Sequence, residues 1–115
     1  MIKQFFALIA TVMLSSVQIA QACPLALNPT DANFCASFQS VAQCHCVAHG
    51  LPARLCNDMN VIYQRMLIVY GSLEQACLHQ SDTSAQNCID SWNCYRHGGN
   101  LSDNQLCRGT GTACA

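Results

Sequence analysis

Cys44, His45, Cys46 and His49 set two thiols and two imidazoles within six residues, the densest grouping of reactive side chains in the sequence. Two chemistries use such groups. Thiolate and imidazole are the usual ligands of zinc, and His45 and His49 stand one helical turn apart. A Cys-x-Cys pair can also cycle between dithiol and disulfide where a thiol is exposed and its pKa is low. Both need free sulfur, and in an oxidising compartment bridges consume it. Structural cysteines beside surface histidines are therefore expected, with a Cys44/Cys46 redox pair as the alternative. No C-x-x-C occurs anywhere in the chain.

Hydrolytic chemistry has less to draw on. Glu74 is the only glutamate, and neither H-E-x-x-H nor G-x-S-x-G is present. His97-Gly98-Gly99 fits a helix stop and needs no oxyanion-hole role. His79 and His97 lie near expected helix ends, where a cation is mildly favoured. No catalytic residue, metal ligand or cofactor is assigned, and an enzyme is not expected.

The cysteines themselves carry the strongest signal. Ten are present, at Cys23, Cys35, Cys44, Cys46, Cys56, Cys77, Cys88, Cys94, Cys107 and Cys114. Residues 1–22, MIKQFFALIATVMLSSVQIAQA, have the three parts of a bacterial signal peptide: Lys3, an apolar run from Phe5 to Leu14, and the small-x-small site Ala20-Gln21-Ala22. That run is too short to cross a bilayer. Cut after Ala22, the chain keeps all ten cysteines in 93 residues, a disulfide-scaffold composition with the even count that five bridges need. Cys23 at the first mature position raises lipidation as an alternative. Ala20 and Gln21 make a poor lipobox, however, and acylating Cys23 would orphan one of the other nine thiols.

Charge is scarce. Beyond the leader, four arginines (Arg54, Arg65, Arg96, Arg108) face six acids, a net of −2, and no lysine remains. Four scattered cations do not make a nucleic-acid site, nor do they suit an anionic membrane surface. A surface so poor in charge is little protected against association, which favours a protein partner.

One domain is expected, since a chain of this length holds one modest core that bridges must reinforce. Its elements read as helices. Cys23 to Pro29 should be extended, Thr30 should cap a helix from about Asp31 to His49, and Gly50 should end it. Phe34, Phe38, Val41 and His45 recur at helical spacing. Pro52 suits the first turn of a second helix, whose segment Met59–Leu73 is the most apolar after the leader. Met59, Ile62, Tyr63, Met66, Val69, Tyr70 and Leu73 form a wide stripe, with Val61 and Ile68 opposite, so this helix should be buried nearly all round. It is either the centre of the domain or part of a protein contact, with Val61, Arg65 and Ile68 as candidate interaction residues. A strand remains open for VIY and LIVY, which are β-branched and aromatic. A membrane span fails on length and on Arg65.

Gly71 should break the chain before a capping box, Ser72 to Gln75. Residues 80–83 form a polar turn, and a third helix should run from about Ser84 to His97, with Ala85, Cys88, Ile89 and Trp92 inward. Ser102 to Gln105 repeats the capping-box pattern before a short turn at Leu106-Cys107. The tail GTGTACA should be tied down only by Cys114. The expected class is all-α, a small disulfide-rich helical domain of three to four short helices. On a helix, Cys44 and Cys46 project about 200° apart and must serve different neighbours. Across single turns, Cys46 approaches Cys56 and Cys77 approaches Cys88.

The stretch from Cys44 to Cys56 resembles the second half of an epidermal-growth-factor-like module, which has C-x-C, a glycine and a final cysteine. Here Gly50 comes one residue late, Leu51 replaces the usual aromatic, and helical flanks argue against that fold. In overall format the leader, the cysteine-rich domain and the Cys44-x-Cys46 stretch resemble small accessory proteins of the outer-membrane core of the Dot/Icm type IV secretion system. That resemblance carries no functional motif. It implies a non-enzymatic structural or interaction protein of the cell envelope, periplasmic or outer-membrane associated, partnered by other envelope or secretion-system proteins. A secreted effector, toxin or inhibitor is the alternative from another class.

Overall fold

The computed structural model describes residues 23–115, and the expected leader and cleavage site lie outside the described residues. Four helices follow one another: α1 Phe34–Ala48, α2 Met59–Tyr70, α3 Leu73–Leu78 and α4 Ala85–His97, with 3-10 turns at Ala53–Leu55 and Cys107–Gly109. Among the described residues no strand forms, apart from a lone antiparallel bridge between Asn100 and Leu106. The protein is a small, disulfide-rich, all-α domain. The apolar run in VIY and LIVY is helix, because Asp58 caps it: its Oδ1 accepts from Asn60 N at 2.8 Å.

Local chemistry sets most of the boundaries. Gly71 takes φ 91° and ends α2, and the Ser72 hydroxyl accepts from Gln75 N at 3.1 Å to start α3. Ser84 does the same for α4, accepting from Asn87 N at 3.1 Å. Gly98 closes α4 at φ 69° and ψ −150°. A Cβ there would lie 2.5 Å from the Gly111 carbonyl oxygen and 2.6 Å from Ala113 N, so only glycine lets the tail pass this closely.

Four expected boundaries and contacts change. Thr30 does not cap α1. Residues 29–33 turn first, with the Asp31 carboxylate accepting from Asn33 N at 2.8 Å, and the helix begins at Phe34. The cause is tertiary: Pro29 is buried and its carbonyl accepts from Arg108 N at 2.8 Å, which holds this segment against the C-terminal part of the chain. Pro52 opens the 3-10 turn instead of α2. Ser102 caps nothing, because its hydroxyl donates to Asp90 Oδ2 at 2.6 Å and so ties the post-α4 loop back to α4. The tail is held by more than Cys114: Gly99 N donates to Gly111 O at 2.8 Å, and Cys114 N and Ala115 N both donate to Tyr95 O at 3.0 Å.

The core joins α1, α2 and α4 through aromatic rings. Phe38 stacks on Phe34 at 5.2 Å and meets Trp92 edge-on at 4.9 Å, and the Tyr63 ring of α2 lies 5.5 Å from that of Trp92. Arg96 covers the outer face of Tyr63, 3.7 Å from the ring centroid. Met59, Ile62, Leu73 and Leu101 complete the packing. The expectation that α2 is buried nearly all round fails. Only Met59 and Ile62 are fully buried on it, while Val61, Ile68 and Val69 face outward. A partner helix as short as α3 cannot cover both sides of α2.

All ten cysteines are paired, as Cys23–Cys44, Cys35–Cys114, Cys46–Cys56, Cys77–Cys88 and Cys94–Cys107. The two cross-turn pairs are those expected from helix geometry. Cys44 and Cys46 serve different neighbours, one reaching the extended N-terminal segment and the other the 3-10 turn. Cys35–Cys114 closes the longest loop, with a sequence separation of 79, and is worth about 4.5 kcal/mol of chain entropy against about 2.7 for the 10-residue Cys46–Cys56 loop.

Candidate functional site

Helices α1, α2 and α4 do not close completely on one another. Between them, under the N-terminal segment and the loop before α4, lies a groove of about 560 Å³. Its floor is built from the core side of each helix: Phe38, Val41 and Ala42 from α1, Ile62 and Met66 from α2, and Trp92 from α4. Helical spacing explains why these residues share one space, since Phe38, Val41 and Ala42 fall at i, i+3 and i+4, and Ile62 and Met66 at i and i+4. Leu25 and Ala26 of the extended segment form part of one wall, held there by a hydrogen bond from Leu27 N to Ser37 Oγ of 2.9 Å and by the Cys23–Cys44 bridge.

The rim is polar. His45, one turn beyond Val41 on α1, reaches across to the loop before α4, its Nε2 lying 3.2 Å from Asp82 Oδ2. His49, Gln80, Thr83 and Asn87 add hydrogen-bonding groups on the same margin, and Arg65 and Val69 stand on the α2 side. The 560 Å³ volume falls inside the range of about 300–1,000 Å³ typical of small-molecule sites, and the combination of apolar floor and sparse polar rim is typical too.

The residues singled out in the sequence are distributed as follows. Cys44 and Cys46 are bridged to different partners and present no thiolate, so neither a Cys-x-Cys redox pair nor a thiolate metal site exists here. Among the described residues no three His, Cys, Asp or Glu side chains converge as metal ligands. His45 and His49 are groove-rim residues. His79 packs on Tyr70 at 4.7 Å between ring centroids, its Nδ1 2.8 Å from Gln75 O. His97 is the exposed last residue of α4. Val61, Arg65 and Ile68 share the outward side of α2, with Ile68 75% exposed, and Arg65 also borders the groove.

Sequence reasoning missed the groove and the His45–Asp82 pair that spans its mouth. A usable signal existed in His45, which continues the inward stripe Phe34, Phe38, Val41. A polar residue on a core-facing stripe marks either a buried polar contact or an opening, and here it marks an opening.

No protein-family model matches this chain, and no curated protein or solved structure is significantly similar to it. Its class therefore rests on its own architecture, a five-bridge helical domain suited to an oxidising compartment. Among the described residues no helix is long and apolar enough to cross a membrane.

Proposed function

We propose that this protein is a non-enzymatic interaction component of the bacterial cell envelope, and specifically an accessory subunit of a type IV secretion outer-membrane core. The observation that carries the interaction role is the outward face of α2. Ile68 is 75% exposed and Val69 62%, and Val61 and Arg65 continue the same side of the helix. Large apolar side chains left in water by a rigid, cross-linked scaffold of low charge are what a docking face requires. The envelope setting is supported by the five bridges and by the leader-like residues 1–22. The secretion-core assignment rests on format alone.

The test is fractionation of the producing cell together with Ile68→Glu. The wild-type protein should sediment with outer membranes and co-isolate with core subunits of the secretion apparatus after cross-linking. Ile68→Glu should keep the fold and lose that co-isolation. Recovery of the wild type in the culture medium alone would sink the envelope reading and favour a secreted effector. Sedimentation with outer membranes but without any secretion subunit would remove only the secretion assignment.

A further inference from the structure

We propose that the groove between α1, α2 and α4 is a binding site for a long-chain fatty acid, with the hydrocarbon tail on the Phe38–Trp92 floor and the carboxylate at Arg65. The site shares Arg65 and Val69 with the outward α2 face but opens inward between the helices, and Ile68, which carries the docking reading, is not among its lining residues.

Three observations select this occupant. The first is shape. Phe38, Val41, Ala42, Ile62 and Trp92 line the groove, yet each is less than 10% exposed, so the floor is recessed below the helix surfaces. A helical peptide, about 10–12 Å across with its side chains, cannot bring its surface to that floor, whereas a single polymethylene chain can. The second is chemistry. The floor is mostly hydrocarbon and aromatic surface, with Ser91 the one buried polar side chain in it, and a tail covers it with little polar surface to desolvate, while an extended peptide would bury backbone amides against it without partners.

The third is charge. Asp82 is the one carboxylate among the lining residues, and His45 engages it at 3.2 Å. Arg65, exposed on the opposite margin, pairs with no carboxylate of the described residues. Its guanidinium stands one turn from Ile62 and Val69 and next to Met66, so the free cation sits where the apolar floor meets solvent. An anionic head on an apolar tail matches that junction, and a guanidinium binds a carboxylate through paired N–H donors. The His45–Asp82 pair crosses the opening from α1 to the loop before α4, which leaves the α2 side as the entrance.

Trp92, the sole tryptophan of the chain, lies on the floor and reports occupancy directly. The experiment uses the oxidised protein, myristate as ligand, and stearate brominated at mid-chain as a contact quencher. Myristate should bind saturably at one site, and the brominated chain should quench Trp92 with the same stoichiometry. Arg65→Glu, at an exposed position that leaves the fold intact, should weaken myristate about tenfold and leave tetradecanol unchanged. Val69→Trp, which narrows the entrance from the solvent side, should weaken both.

No saturable binding overturns the proposal. So does binding without Trp92 quenching, because the chain is then not in the groove. Equal affinity of Arg65→Glu and wild type for myristate overturns the placement of the head. Self-association that myristate does not dissolve, and that keeps the brominated chain from quenching Trp92, would assign the groove to a second copy of the chain instead.

Discussion

Gly98→Ala isolates the contact that seats the C-terminal tail on α4. Gly98 adopts φ 69° and ψ −150°, a region open essentially to glycine alone, and placing alanine there costs about 1–3 kcal/mol in backbone strain. The new methyl would also sit 2.5 Å and 2.6 Å from backbone atoms of Gly111 and Ala113, which cannot swing aside as a side chain would. The tail must lift. Lifting it breaks the Gly99 N to Gly111 O hydrogen bond of 2.8 Å, a net loss of about 0.5–1.5 kcal/mol. Together these amount to about 3 kcal/mol, or a melting temperature lower by about 12–24 °C for a domain of this size.

Gly99→Ala is the matched control. Gly99 also has a positive φ, 84°, but a Cβ there meets nothing within 4 Å, so only the backbone term applies, about 1–2 kcal/mol. Thermal melts of both variants followed by circular dichroism give the comparison. Hydrogen exchange adds a local reading, because Gly98→Ala should deprotect the Cys114 and Ala115 amides, which donate to Tyr95 O, while the Cys35–Cys114 bridge keeps the tail tethered. If the two variants melt within about 2 °C of each other, with those amides still protected, the close approach contributes nothing and the reasoning fails.

Three further outcomes follow from the same structure. Ser84→Ala and Asp58→Ala should each cost about 1 kcal/mol in chemical denaturation, as lost helix caps, whereas Thr30→Ala should stay within about 0.5 kcal/mol because it caps nothing. Trp92→Ala should cost about 3–5 kcal/mol by removing the ring shared by Phe38 and Tyr63, while Ile68→Glu, at a site 75% exposed, should leave the melting temperature nearly unchanged. Non-reducing peptide mapping should recover the five pairs described above and no alkylatable thiol, and a Cys44–Cys46 link in its place would overturn the assignment of those two to separate neighbours.

What could be read from the residues divides along the range of the forces involved. Gly71, Ser72, Ser84 and Gly98 were legible because caps and stops act within one turn. Cys46–Cys56 and Cys77–Cys88 were legible for a related reason: each joins two residues across a single bend, where helix geometry alone limits the partners. Cys35–Cys114 and Cys94–Cys107 depend on how the tail lies over α1 and α4, and Cys23–Cys44 on where the extended segment runs. Thr30 failed as a cap because a distant donor, Arg108 N, holds Pro29 in place and delays the helix. The burial of α2 was overestimated for want of a second partner. An apolar pattern states which side chains would gain from burial, and the length of α3 decides how many achieve it.

The groove was illegible for a deeper physical reason. Phe38, Val41, Ile62, Met66 and Trp92 have the same periodicity whether their helices meet or stand apart, so no pattern separates a filled core from a lined space. The separation is set by cross-links. Cys46 and Cys88 both border the groove, and their bridges to Cys56 and Cys77 anchor the end of α1 to the 3-10 turn and the start of α4 to α3. In a domain without bridges the helices would be free to slide together until large side chains filled the gap, because packing to crystal-like density is where most of the stability of a small core arises. Here the five bridges raise the free energy of the unfolded chain instead, and the core need not supply all the stability. Covalent stapling thus leaves room for an apolar space that packing alone would tend to close, and it does so on the same helix, α2, whose other side is turned outward.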